Sequence, residues 1–281
     1  KLTCVSRAAS WLETNSCYRS DDYIALQHIP PVLRFLFRIH PFRRFFFQVM
    51  APKGIYEYTI ARTKFIDAVF RQALLEKYEQ ILIFGAGFDS RAVRFRDEIG
   101  DTKVFELDAP VTQQAKMDQY RKLGIETLDN LVYIPIDFDK ESLPEKLEQA
   151  GFEKGRKCLV VMEGLLMYLQ EESVNQTFHV IEFFAGVGCM VVFVYVRAEV
   201  LRIAGKHYGD KEIVDTVSKA GVQWSFGFKQ GKVEAHLGRF GLMVVEHTEP
   251  EELERMYFTD SKGEIAGRIN GAHCLVKAVK R

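Results

Sequence analysis

The sequence predicts an α/β chain: a doubly wound, mostly parallel sheet of seven strands behind an N-terminal helical cap. From residue 80 onward, short apolar runs alternate with helical stretches at β-α spacing. The runs are continuous rather than alternating, as strands are when helices cover both faces of a sheet. Residues 1–78 contain no such run.

The cap reads as helices interrupted at Pro30-Pro31, Pro41 and Pro52. The last of them runs from Tyr56 to about Tyr78, with Ile60, Phe65, Ile66, Val69 and Phe70 on one apolar face. The stretch 32–50 is expected to be an amphipathic helical segment carrying Arg34, Arg38, Arg43 and Arg44 on one face. It would cover the core or the active site, with a membrane-surface role as the rival.

Strands are expected at 81–84, 104–107, 131–136, 158–162 and 190–196, with helices at 110–123, 143–150 and 171–185. After Arg197 the rhythm breaks. Residues 198–238 look helical with an irregular middle at 221–228, as a substrate-side insertion would be. Two strands, 242–246 and 274–279, close the chain, the last antiparallel beside its neighbour. The expected division is a cap over 1–78 and a sheet domain over 79–281.

Lys plus Arg and Asp plus Glu both number 38, so no global field gathers nucleic acid. A small molecule or a peptide end is the expected partner. Cys4, Cys17, Cys158, Cys189 and Cys274 form no C-x-x-C pair, which points to free thiols in a reducing compartment, the cytoplasm. No secretory signal and no run of 18 apolar residues is visible.

Ligands of an open sheet sit at the carboxyl ends of its strands. Those ends carry Gly85, Gly87 and Asp89, then Asp108, then Asp137-Phe138, then Glu163. The glycines allow a tight turn and a close backbone approach, and Asp108 follows about twenty residues on, where a ribose-binding acid sits. The third glycine of a dinucleotide fingerprint is replaced by Ser90, and Asp89 beside it would repel a pyrophosphate. A cationic ligand without phosphate, S-adenosylmethionine, suits these acids better. Alternatively, Asp89 or Ser90 only caps the next helix. A magnesium site is the weaker rival, since no His joins the carboxylates, and no metal is expected.

Several segments together resemble the leucine carboxyl methyltransferase-like family of class I S-adenosylmethionine-dependent methyltransferases. They are Ser16-Cys-Tyr-Arg-Ser-Asp-Asp, Ala61-Arg-Thr-Lys-Phe-Ile-Asp, Gly85-Ala-Gly-Phe-Asp-Ser-Arg, Phe105-Glu-Leu-Asp-Ala-Pro, Ile136-Asp-Phe and Glu163-Gly-Leu-Leu-Met-Tyr-Leu. The resemblance implies a Rossmann-like methyltransferase fold and S-adenosyl-L-methionine as cofactor. It implies that Arg62 holds the methionine carboxylate, a task suited to a guanidinium fork, and that Gly85 and Gly87 bring backbone to the amino acid head. Asp108 would accept from the ribose, Asp137 and the Phe138 amide would read the adenine edge, and Glu163 would lie near the ammonium or sulfonium.

Members that methylate protein phosphatases carry a lysine before the arginine of the early motif. Here Tyr18 precedes Arg19, which argues against a phosphatase tail and leaves Arg19 as a candidate for holding an anionic substrate. A carboxylate acceptor needs mainly alignment, whereas a hydroxyl needs a base. No Asp-His pair lies in the motif region; His207 and His236 lie outside it, and Tyr168 is placed to orient an acceptor or to pack in the following helix. O-methylation of a carboxylate or hydroxyl is the leading expectation. A cofactor-binding module without turnover and an NAD-dependent oxidoreductase are the alternatives.

Overall fold

A computed structural model of the chain describes residues 2–137 and 140–281. Its strands are β1 (Gln80–Phe84), β2 (Lys103–Asp108), β3 (Leu131–Pro135), β4 (Cys158–Met162), β5 (Met190–Val196), β6 (Leu242–Thr248) and β7 (His273–Lys280). They form one sheet in the order β3-β2-β1-β4-β5-β7-β6. Strands β1 to β5 run parallel, and β7 is inserted antiparallel between β5 and β6. The strand order reverses between β1 and β4, which opens a crevice above their carboxyl ends. All of β1, β4 and β5 is buried, as their continuous apolar runs require.

The N-terminal helices are α1 (Leu2–Trp11), α2 (Pro31–Leu36), α3 (His40–Met50) and α4 (Ile55–Leu75). Pro31 and Pro41 fall in the first turns of α2 and α3, where no partner for the missing N–H is needed. They therefore start helices rather than break them. The expected single amphipathic stretch over 32–50 is two helices, and its arginines do not share a face. Arg43 is buried and pairs with Glu13 at 3.0 Å, while Phe35, Phe45, Val49 and Met50 are exposed. A buried acid 30 residues upstream pulls Arg43 inward, a partner that helical periodicity does not reveal.

Helix α4 is the beam that joins this layer to the sheet. It buries Ile60, Phe65, Ile66, Val69 and Phe70 as its periodicity predicts. It starts from Gly54 at φ 73°, where an added Cβ would lie 2.4 Å from the Asn270 nitrogen. The apolar cluster on this face runs from Ala8 and Phe37 through Phe70 to Val192 and Leu275.

The sheet is further covered by α5 (Arg91–Arg94), α6 (Arg96–Ile99), α7 (Pro110–Leu123), α8 (Leu143–Gln149), α9 (Glu171–Phe184), α10 (Asp210–Lys219), α11 (Val233–Gly238) and α12 (Pro250–Phe258). Residues 198–209, expected to be helical, are turns. Among the described residues no helix is long and apolar enough to cross a membrane.

Candidate active site

The site is built from four strand ends and from side chains of α1, α4 and α5. After β1, Gly85 and Gly87 adopt φ values of 59° and 49°, conformations that side chains other than glycine's resist. A Cβ on Gly85 would come within 3.3 Å of the Leu165 side chain. At the end of β2, Asp108 turns back onto this loop. Its carboxylate accepts the Gly87 N–H and, at 2.6 Å, the Ala109 N–H. Two N–H bonds leave lone pairs on a carboxylate for further donors.

Asp137 follows β3 and pairs with Lys140 at 2.8 Å. Phe138 lies outside the described residues.

Glu163, immediately after β4, is the electrostatic centre. Arg62 reaches it from α4 at 2.7 Å and Arg91 from α5 at 2.7 Å. Burial alone would raise the Glu163 carboxyl, but Arg62, Arg91 and Arg7 overcome it and hold the group far below the usual carboxylate range. Arg91 also binds Asp67 at 2.8 Å and pairs with Asp89. Arg94 joins Asp67 at 2.8 Å, and Arg7 pairs with Asp22 at 2.8 Å while donating to the Phe88 carbonyl at 3.0 Å. The sequence reading missed Arg7, Asp22, Asp67, Arg91 and Arg94 as a network. Asp67 and Arg91 nevertheless lie within the matched motifs, five residues after Arg62 and four after Gly87.

Asp89 requires a correction. Its Oδ1 accepts the Arg91 N–H at 2.8 Å and its other oxygen pairs with the Arg91 guanidinium, so its charge is neutralised inside the protein. The repulsion expected of a carboxylate facing a phosphate therefore does not operate. The capping role is what Asp89 performs, whereas Ser90 makes no cap and donates to Asp22 at 2.8 Å.

The remaining candidates scatter. Arg19 is exposed, with its guanidinium 4.8 Å above the Trp11 ring. Tyr168 is 44% exposed on a short 3-10 turn rather than packed in α9. His207 bridges Arg197 at 2.9 Å and Glu199 at 2.6 Å beyond β5, beside a cavity of about 280 Å³. His236 packs against Phe178, Phe228 and Phe240, a structural position.

This arrangement defines a class: an α/β protein with a seven-stranded, mostly parallel sheet and a positive-φ glycine turn at its switch point. The model of the leucine carboxyl methyltransferase family matches residues 43–182. YktD of Bacillus subtilis, provisionally named an S-adenosyl-L-methionine-dependent methyltransferase, is 24% identical over 207 residues, 74% of this chain and 68% of its own. A Mycobacterium tuberculosis protein with the same provisional name is 33% identical over 126 residues, 45% of this chain and 40% of its own. Two solved structures share the fold. A provisionally identified methyltransferase of Thermobifida fusca aligns with TM-score 0.62 at 14% identity over 98% of this chain and 97% of that one. A DUF574 family protein of Streptomyces avermitilis aligns with TM-score 0.61 at 12% identity over the same shares. The chain belongs to the leucine carboxyl methyltransferase-like family of methyltransferases.

Proposed function

We propose that the chain binds S-adenosylmethionine in this crevice and transfers its methyl group to an oxygen of a small molecule or peptide end. The cofactor supplies an electrophilic methyl on a sulfonium; the chain's residues bind, orient and exclude water. The observation that carries the reading is the Arg62–Glu163–Arg91 cluster set opposite the positive-φ glycine turn and Asp108.

The cluster suits a zwitterionic amino acid head. Glu163 is held ionised by Arg62 and Arg91, so it can accept from an ammonium as Arg62 turns toward the carboxylate of the same head. Arg62, whose buried Nε has no partner, offers an unused donor to a carboxylate. Gly85 and Gly87 present bare backbone to that head, and Asp108 has lone pairs left for ribose hydroxyls. Asp137 stands where the adenine edge would be read, with Phe138 beside it in sequence.

Titration calorimetry with S-adenosylmethionine tests the proposal. Saturable binding is expected. No heat at high micromolar ligand would overturn it, and binding without methylation of any acid or phenol would reduce the chain to a cofactor-binding module.

A further inference from the structure

Past Arg62, α4 joins a buried group of three aromatic side chains that nothing above uses. Tyr58, one turn before Arg62 on α4, has that guanidinium 5.3 Å from its ring centroid. The Tyr58 ring stacks on His273 at 4.1 Å, and Trp224 meets His273 edge-on at 5.3 Å. His273 opens β7 and is paired in register with Val196, at the carboxyl end of β5. Trp224 is delivered by the irregular stretch at 222–228. That strap is pinned to the loop after β4 by the Ser225 N–H on the Met167 carbonyl, 2.7 Å, and to the end of β5 by the Ala198 N–H on the Phe228 carbonyl, 2.9 Å. One buried strip of touching side chains thus runs from Glu163 through Arg62 and Tyr58 to His273 and Trp224.

Besides Arg62 Nε, three atoms on this strip have no hydrogen-bond partner, the Tyr58 hydroxyl and two ring nitrogens. His273 Nδ1 and Trp224 Nε1 are both buried without a hydrogen-bond partner, and the two rings touch. Their residues are 5% and 9% exposed, so solvent does not readily compensate them. Orphans of this kind cost about 1–3 kcal/mol each unless a ligand or water completes them. Burial, and then the neighbouring Arg62 charge, push the His273 imidazole down to about 3, so the ring is neutral at physiological pH. Around it stand Tyr58 and Arg62 from α4 and Trp224 from the strap, and Arg62 is already paired with Glu163.

We propose that Trp224 and His273 form the acceptor subsite, and that it takes a flat, uncharged molecule bearing a hydroxyl, such as a phenol, rather than a carboxylate. The inference rests on the methyltransferase reading above. Trp224 Nε1–H can only donate, and a neutral imidazole can accept at Nδ1 when its proton is on the other nitrogen. A hydroxyl answers both, accepting from the indole and donating to the imidazole. A carboxylate would bring a charge into an aromatic wall whose neighbouring cation is already neutralised, and its desolvation would go uncompensated. As the acceptor oxygen forms its bond to the methyl carbon and the S–C bond breaks, the hydroxyl proton moves to His273 Nδ1. The positive charge lost at sulfur reappears on the imidazolium, so net charge is conserved. A weak base suffices, because that proton becomes strongly acidic as the O–C bond forms.

The test is a ligand-observed NMR titration of the protein with phenol and, separately, with benzoate, with and without saturating S-adenosylhomocysteine. The cofactor product is titrated on its own by calorimetry. The expected result is phenol binding about tenfold or more tighter than benzoate, weakened about tenfold by Trp224→Phe and by His273→Gln, with S-adenosylhomocysteine affinity kept within about twofold. Trp224→Phe keeps an aromatic face toward His273 while removing the N–H along with the indole's second ring, so it stands as the probe if His273→Gln fails to fold. Equal or tighter benzoate binding, no phenol binding, or phenol binding indifferent to Trp224→Phe would overturn the proposal. Failure of S-adenosylhomocysteine to bind would instead strike the methyltransferase reading, and the phenol titration without it would still decide the subsite.

Discussion

Arg62 and Arg91 divide Glu163 between them, one on each oxygen, and both guanidiniums keep further donors free of it. A cofactor ammonium can therefore approach Glu163 while Arg62 turns toward the carboxylate of the same head, an exchange of partners rather than a new burial of charge. Asp108 is simpler: on the proposed reading, removing its carboxylate would leave ribose hydroxyls unpaired. Asp108→Ala should weaken S-adenosylmethionine binding by about 1–3 kcal/mol in calorimetry; unchanged affinity would remove Asp108 from the site. The pH dependence of stability follows from two depressed groups. Glu163 titrates in the fold well below its ordinary value and His273 falls to about 3. Each stabilises the fold above its unfolded value, and that stability is lost as pH falls toward the folded one. Urea stability should therefore begin to drop near pH 6.5, by up to about 1.4 kcal/mol per pH unit from His273, and steepen below about pH 4.5 as Glu163 adds its share. A flat profile from pH 7 to 5 would contradict the buried neutral imidazole.

Elements built on continuous apolar runs were legible in the sequence, and those built on charge pairing were not. Strands β4 and β5 fall where their runs of Val, Leu, Met and Phe place them, because burial on both faces leaves no other composition. Helix α4 was legible through the three- and four-residue spacing of its apolar face. In one dimension Arg43 reads only as one arginine of an amphipathic face and Arg91 only as the end of the glycine-turn motif. Their partners Glu13 and Asp67 lie 30 and 24 residues away, and only the fold brings them together. The glycine turn, Asp108 and Glu163 were legible as strand ends, yet the aromatic strip was not, since Tyr58, Trp224 and His273 come from three distant segments. Within α4 the start is the sensitive point. Gly54 sits against the Asn270 backbone, and the Asn270 N–H donates to the Gly54 carbonyl at 3.0 Å. Gly54→Ala combines strain at positive φ with a backbone clash and should cost about 1–3 kcal/mol or more in urea unfolding. A neutral substitution would show that this clamp does not set the position of α4.

Across the whole molecule, α4 carries Arg62 toward Glu163 and Tyr58 toward His273, so one helix couples the cofactor side to the proposed acceptor side. The opposite wing is held by the buried Lys116–Glu106 pair at 2.6 Å, which ties α7 to β2 just before Asp108. Removing one partner strands the other, and Lys116→Met should destabilise the fold by about 3 kcal/mol at neutral pH in urea unfolding. A loss below about 1 kcal/mol would mean that Glu106 protonates without penalty. On the proposed reading, this crevice holds S-adenosylmethionine by its amino acid head as well as by its nucleoside. Calorimetry of Arg62→Ala with S-adenosylmethionine and with adenosine tests it most directly, since adenosine binding also reports that the variant is folded. S-adenosylmethionine affinity should fall by about tenfold or more, with adenosine affinity within about twofold of the parent. Equal affinities of parent and variant for S-adenosylmethionine, or equal losses for both ligands, would contradict it.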